Sequence, residues 1–173
     1  MDKATLKETI RDVADFPKPG IIFKDITTLL NNPEAFAATI DIFHDHYKDK
    51  NIQKILGIEA RGFIFGSALA YKLQTGLNIF RKPGKLPYKT FSNTYELEYG
   101  TDTIEIHTDA VAKNERVLII DDLIATGGTA RAAADLVQRI GGTVVGLAFV
   151  MELSFLHGTD KLKDYDVYSI LTF

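Results

Sequence analysis

Asp121 and Asp122 stand side by side at the end of the apolar run Val117-Leu118-Ile119-Ile120, and Leu123-Ile124 then lead into Ala125-Thr126-Gly127-Gly128-Thr129. Small residues of the last kind let backbone N–H groups converge on an anion. A helix opening at their end adds its partial positive charge, and Thr126 and Thr129 supply hydroxyl donors. The two carboxylates would repel a phosphate held there unless they serve something else, either a cation or sugar hydroxyls that donate to them. A ribose 5-phosphate satisfies both halves at once, with its phosphate in the loop and its hydroxyls on Asp121 and Asp122. The stretch is not a Walker loop, because no lysine follows the glycines, and Gly-x-Gly-x-x-Gly occurs nowhere in the chain.

Such a cradle must be positioned by a strand before it and a helix after it. Residues 116–120 read as the strand, 121–128 as the loop and 129–140 as the helix, with an apolar stripe of Ala130, Ala133, Ala134, Val137 and Ile140. Gly141-Gly142 ends that helix, and 143–150 read as the next strand. An earlier stretch has the same order: a strand over 52–58, the polar turn Glu59-Ala60-Arg61-Gly62, a helix over 63–73, a stop at Gly76 and a strand over 77–80. Repeated strand-helix-strand units predict an α/β fold, with a mostly parallel sheet flanked by helices and ligands at the carboxyl ends of its strands.

The flanking segments have other textures. Leu6, Ile10 and Val13 have the spacing of a short amphipathic helix over 3–15, which Pro17, Pro19 and Gly20 then break to deliver Ile21-Ile22-Phe23. Asn32-Pro33 starts a helix with Phe36, Ile40, Phe43 and Tyr47 on one face. Residues 90–108 alternate around Gly100 as a projecting β-hairpin. No repeat, low-complexity tract or linker interrupts the chain, so residues 1–173 are expected to form a single domain.

Composition narrows the chemistry. The 173 residues carry a net charge of −3, with 46% hydrophobic residues and no cysteine. That excludes disulfides, thiolate zinc sites, iron–sulfur clusters and a cysteine nucleophile, and leaves hard cations such as Mg²⁺ open. A mildly acidic chain is a poor non-specific nucleic-acid binder. The mixed charges of residues 1–8 do not resemble an export signal, and no apolar stretch approaches the roughly 20 residues of a membrane span. The expectation is a cytoplasmic protein with no membrane or nucleic-acid partner. His44 and His46, two apart on a helix, point away from each other, and His107 and His157 read as surface or strand residues.

Val117 to Thr129 resembles the phosphoribosyl pyrophosphate motif of the type I phosphoribosyltransferases. Four further stretches are similar, in the same order, to the adenine-specific branch of that family: Phe16-Pro17-Lys18-Pro19-Gly20-Ile21-Ile22-Phe23-Lys24-Asp25-Ile26, Arg61-Gly62-Phe63-Ile64-Phe65-Gly66, Arg81-Lys82-Pro83-Gly84-Lys85-Leu86-Pro87 and Tyr95-Glu96-Leu97-Glu98-Tyr99-Gly100. The resemblance runs from about residue 5 to the C-terminus. It implies the type I phosphoribosyltransferase fold, with a hood hairpin over about 88–108 and a base-binding segment over about 16–28. The implied reaction is transfer of a phosphoribosyl group from phosphoribosyl pyrophosphate to adenine, giving AMP and pyrophosphate in purine salvage.

The same resemblance assigns roles. Ala125, Thr126, Gly127, Gly128 and Thr129 would hold the 5′-phosphate, and Asp121 and Asp122 the ribose. Arg61, Arg81, Lys82, Lys85 and also Lys89 would face pyrophosphate, with a solvated basic loop over residues 81–89 as the lesser alternative from composition alone. Phe23 and Leu123 would sandwich the base, with the backbones of Ile22 and Lys24 at its amino edge; Lys24 stands where many relatives have arginine. Glu98 would handle the base's ring proton, and Tyr99 would belong to the hood. Mg²⁺ would be held through the substrate rather than by direct protein ligands, and the family is typically homodimeric. Two other readings fit the sequence: a phosphoribosyltransferase for another base such as xanthine or orotate, and a non-catalytic effector-binding regulator of the same fold.

Overall fold

The computed structural model describes residues 1–96 and 100–173. Its centre is a parallel sheet of β3 (Lys54–Ile58), β4 (Gly76–Phe80), β7 (Arg116–Ile124), β8 (Thr143–Glu152) and β9 (Val167–Thr172), in the order β4-β3-β7-β8-β9. The strand that carries the acidic pair is therefore the middle one. Alternation along β7 splits its side chains between two cores. Leu118 and Ile120 face α3 (Pro33–Tyr47) and α4 (Gly62–Leu73), where Phe43, Phe65 and Leu69 are fully buried. Val117 and Ile119 face α5 (Gly128–Ile140), packing with Ala133, Ala134, Leu136 and Val137.

Local chemistry sets the helix ends. Asn32 caps α3, its side chain accepting from the N–H groups of Glu34 and Ala35, and Pro33 occupies the first turn, where no N–H is needed. At the other end of α5, Gly141 takes the left-handed conformation that closes the helix.

β5 (Thr90–Glu96) and β6 (Thr101–His107) pair antiparallel, and the buried Ile104 and Ile106 dock this ribbon on the α5 side of the sheet. Asn93 Nδ2 donates to the carbonyl of Ala132, and Arg139 to that of Ser92, which fastens β5 along α5.

Four expectations change. The first helix, α1, spans only Lys3–Glu8; Thr9 turns its hydroxyl back to the Leu6 carbonyl, and Arg11–Ala14 becomes β1, paired antiparallel with β2 (Ile22–Asp25). Leu6 and Ile10 are buried as the spacing requires, but Val13 gets its contacts from a strand partner, which a helical period cannot reveal. α4 ends on Gln74 in the left-handed conformation, and Gly76 opens β4 instead of stopping the helix. A short helix, α2 (Thr27–Leu30), and strand β9 complete the fold beyond the elements expected from local pattern.

The fourth change bears on the site. β7 runs on to Ile124, pairing with β8 as far as Glu152, so Asp121 and Asp122 lie on a strand rather than in a loop. Their backbone is fixed by the sheet, and only 125–127 bridge strand and helix.

Because Leu118 is fully buried between β3 and β8, truncation to Ala should cost about 2–5 kcal/mol, measurable as a lowered midpoint in urea unfolding.

Candidate active site

The carboxyl ends of β3 and β7 meet at one point. Gly62, the first residue of α4, lies so close to β7 that a Cβ there would stand 2.6 Å from the Ile120 carbonyl oxygen and 3.0 Å from Asp121 Oδ1. This approach brings Arg61 onto the acidic pair, with its Nε donating to Asp122 Oδ2 at 2.6 Å. The guanidinium carbon also sits 5.6 Å from the centre of the Phe23 ring, so Arg61 bridges the acid and the aromatic. Asp122 is 3% exposed, whereas nearly half of the Arg61 side chain is open to solvent.

Asp121 is held differently. Its Oδ1 accepts the N–H of Asp122 at 2.8 Å, but burial pushes its carboxyl well above the ordinary value of 3.8, and the neighbouring charge of Asp122 adds to the rise. Arg61 thus pairs with Asp122, and Asp121 favours its protonated form.

Beyond Ile124 the chain turns through Ala125, Thr126 and Gly127. Gly127 has φ +75°, and a Cβ on it would lie 2.1 Å from the carbonyl oxygen of Gly158; a Cβ on Gly158 would lie equally close to that of Ala125. Only glycine at both positions lets the turn press against the 3-10 turn Gly158–Leu162. Gly128 and Thr129 open α5, whose first N–H groups have no acceptor within the helix. A cavity of about 110 Å³ at this point is lined by Asp121, Leu123, Thr126, Gly127 and Thr129. The Thr129 hydroxyl donates to the hydroxyl of Tyr95 on β5 at 2.9 Å.

The basic residues gather beside β3. Glu59, at the end of that strand, accepts from Arg81 Nε at 3.2 Å, from Lys85 Nζ at 2.6 Å and from the backbone N–H of Lys82 at 2.6 Å. Burial would raise its carboxyl, but these donors outweigh it and hold Glu59 at about 2. The Lys82 ammonium instead pairs with Asp102 on β6. Lys89 precedes β5 and its carbonyl accepts the N–H of Thr108.

The N-terminal ribbon closes the remaining side. Phe23 meets Phe16 edge-on at 5.2 Å and turns toward Arg61, while Ile22 and Lys24 point to the opposite face of β2. There they line a larger, mainly apolar cavity of about 700 Å³ with Ile21, Leu153, Phe155 and Phe173. Thr126 borders this cavity and the small one alike, so the two are neighbours. Lys24 bonds Asp12 at 2.6 Å and lies over the Phe173 ring.

The structure thus brings Asp121, Asp122, Arg61, Leu123 and residues 125–129 together, with Phe23 reached through Arg61 and with Arg81, Lys82 and Lys85 on the β3 side. Glu98 and Tyr99 lie outside the described residues. Sequence reasoning passed over Glu59, Tyr95, Asp102 and the segment 153–173. Glu59 had a usable signal, an acid at the carboxyl end of a parallel strand two residues before an arginine; Tyr95 and Asp102 had none beyond strand alternation. Among the described residues no three His, Asp or Glu side chains converge as a metal site, and no helix is long and apolar enough to cross a membrane.

A parallel sheet with an anion cradle after its central strand, acids on that strand's end and cations on the next defines an α/β protein built for a phosphorylated ligand. The family model for the phosphoribosyl transferase domain matches residues 25–172. Curated relatives named adenine phosphoribosyltransferase include those of Koribacter versatilis, 57% identical over 96% of this chain and 92% of the relative, and Solibacter usitatus, 58% identical over 97% of each. Among solved structures, the adenine phosphoribosyltransferase of Thermoanaerobacter pseudethanolicus is 49% identical, covers 99% of both chains and superposes with a TM-score of 0.96. That of Saccharomyces cerevisiae, complexed with an imino-altritol bisphosphate and adenine, is 40% identical over 98% of both chains with a TM-score of 0.92. The chain belongs to the phosphoribosyltransferase family, and within it to the adenine phosphoribosyltransferase branch that these relatives share.

The two shifted acids give opposite pH signatures. Glu59 is depressed, so the stability it contributes is present above 4.5 and is lost as pH falls toward about 2; Glu59→Gln should flatten that limb of an acid-unfolding curve. Asp121 is raised, so ionising it penalises the fold increasingly as pH climbs above 3.8. Asp121→Asn should therefore raise the melting temperature at neutral pH, by a margin that shrinks as the scan is repeated closer to 3.8.

Proposed function

We propose that this protein transfers the 5-phosphoribosyl group of phosphoribosyl pyrophosphate to adenine, forming AMP and pyrophosphate. The observation that carries the reading is the acidic pair at the end of β7, where Asp121 lines the anion cradle and the buried Asp122 holds Arg61. Phosphoribosyl pyrophosphate uses a phosphate seat, hydroxyl acceptors and a separate set of cations within one strand end of each other.

In this reading the N–H groups and hydroxyls of 125–129 seat the 5′-phosphate, and Asp121 and Asp122 accept from the ribose hydroxyls. Arg61, Arg81, Lys82 and Lys85 exchange their carboxylate partners for the pyrophosphate oxygens. Arg61 leaving Asp122 has a further effect. It uncovers a negative charge beside the anomeric carbon as the bond to pyrophosphate breaks and positive charge develops there, so the acid stabilises the transition state without covalent attack. The base lies against the Phe23 ring, with Leu123 on its other face and the backbones of Ile22 and Lys24 at its amino edge. Glu98 is assigned the ring proton of the base.

Mg²⁺ fits this donor set. It is a hard cation that would be held through the substrate's oxygens and water rather than by direct protein ligands, with Asp121 and Asp122 acting on it only through the ribose hydroxyls they accept from. The ion would supply charge neutralisation to the pyrophosphate.

A homodimer in the cytoplasm belongs to the same reading. Ile64 and Tyr71, one above the other on α4, and Leu77 and Tyr88 nearby in the chain are large and exposed, as residues that a second copy covers would be.

Formation of AMP from adenine, phosphoribosyl pyrophosphate and Mg²⁺, with hypoxanthine, guanine and xanthine inert, is the expected result of a free-base panel; turnover of one of those bases in place of adenine reassigns the substrate. Asp122→Asn should lower kcat by on the order of 10² while leaving the KM for adenine within a few-fold, and an unchanged kcat removes its electrostatic role.

A further inference from the structure

Four side chains form an unbroken chain between the cradle and the basic segment. Thr129 at the start of α5 donates to the Tyr95 hydroxyl at 2.9 Å, Tyr95 donates to Asp102 Oδ2 at 3.1 Å, and the same oxygen takes the ammonium of Lys82. Asp102 Oδ1 is fixed by the N–H of Thr103 at 2.8 Å, and the Tyr95 ring lies against Gly128, where an added Cβ would be 3.2 Å from it. Burial raises the Tyr95 phenol, which therefore stays protonated and able to donate.

We propose that Tyr95 is a positioning residue that makes the 5′-phosphate seat and the pyrophosphate seat oppose each other, acting through Thr129 on one side and Asp102 and Lys82 on the other. The proposal rests on the roles given above to Thr129 and Lys82. Its sign follows from hydrogen-bond cooperativity. Donation from Thr129 strengthens the Tyr95 donation to Asp102, and a strong Tyr95 donation competes with Lys82 for the same carboxylate oxygen. A phosphate that captures the Thr129 hydroxyl weakens the Tyr95 bond and leaves Asp102 a better holder of Lys82, away from pyrophosphate. Conversely, pyrophosphate that draws Lys82 off Asp102 strengthens the Tyr95 bond and keeps Thr129 turned from the cradle.

While the two anions belong to one donor molecule, the opposition is met by a single binding event. Once the bond between ribose and pyrophosphate has broken, it acts between separate products and favours departure of pyrophosphate from a complex that still holds the nucleotide phosphate. Tyr95 thus contributes to the order of product release, without touching the reacting atoms.

The test is calorimetric binding of inorganic pyrophosphate with Mg²⁺, in the absence and in the presence of saturating ribose 5-phosphate, to the full chain and to Tyr95→Phe. Ribose 5-phosphate should weaken pyrophosphate binding in both proteins, because like charges repel directly. The factor should be smaller in the variant by roughly two- to fivefold. An equal factor in both proteins overturns the proposal, including the case where both single affinities fall together, as a merely structural role would give. Should Tyr95→Phe fold poorly, Asp102→Asn is expected to show the same reduction, and an undiminished factor there counts against the proposal equally. Lys82→Met separates the underlying reading: an unchanged pyrophosphate affinity shows that Lys82 does not serve pyrophosphate, which removes the premise rather than the coupling.

Discussion

Everything at the site follows from placing two adjacent carboxylates on the end of the central, buried strand. Charge in such a place is costly unless it is paired, and one guanidinium cannot fully serve both acids. The structure answers by splitting the pair: Asp122 takes the Arg61 Nε, and Asp121 is pushed toward its protonated form. To bring Arg61 there, α4 must start against β7, which is why Gly62 has no room for a side chain. The helix, the arginine and the aromatic under it are positioned by the need to compensate that pair.

The same logic extends outward. Four cations of the pyrophosphate assignment are paired with three acids: Arg81 and Lys85 share Glu59, Lys82 has Asp102, and Arg61 has Asp122. A basic loop in an acidic chain is thus not a bare positive surface. Such pairs hold the side chains in fixed geometry, so an incoming anion competes for partners instead of meeting loose charges. The basic segment that composition alone left open as a solvated loop is a docked one, tied to the end of β3 and to the hairpin.

How much of this was legible in the sequence depends on the range of the interaction. Apolar alternation and helical stripes are local, so β3, β4, β7, β8, α3, α4 and α5 could be read, as could the loop whose glycines and threonines belong together. Residues 11–14 could not, because their helical spacing is overruled by pairing with 22–25, a partner across the proline turn. The end of β7 could not, because acids depress strand propensity and only the pairing with β8 keeps the chain extended through Ile124. Glu59, Tyr95 and Asp102 acquire meaning only from partners more than twenty residues away or on another element. Phe23 was read for its type, and the structure adds its neighbour, Arg61.

The contact between Gly127 and Gly158 carries a lesson about modularity. The phosphate loop looks self-contained, thirteen consecutive residues with a recognisable pattern, yet its shape is moulded against a backbone that the chain supplies thirty residues later, between β8 and β9. Grafting that stretch onto another parallel sheet would transplant the pattern without its mould. The unit that folds into a cradle is a composite of two distant segments, so insertions in the β8–β9 connection bear on the loop as directly as changes within it.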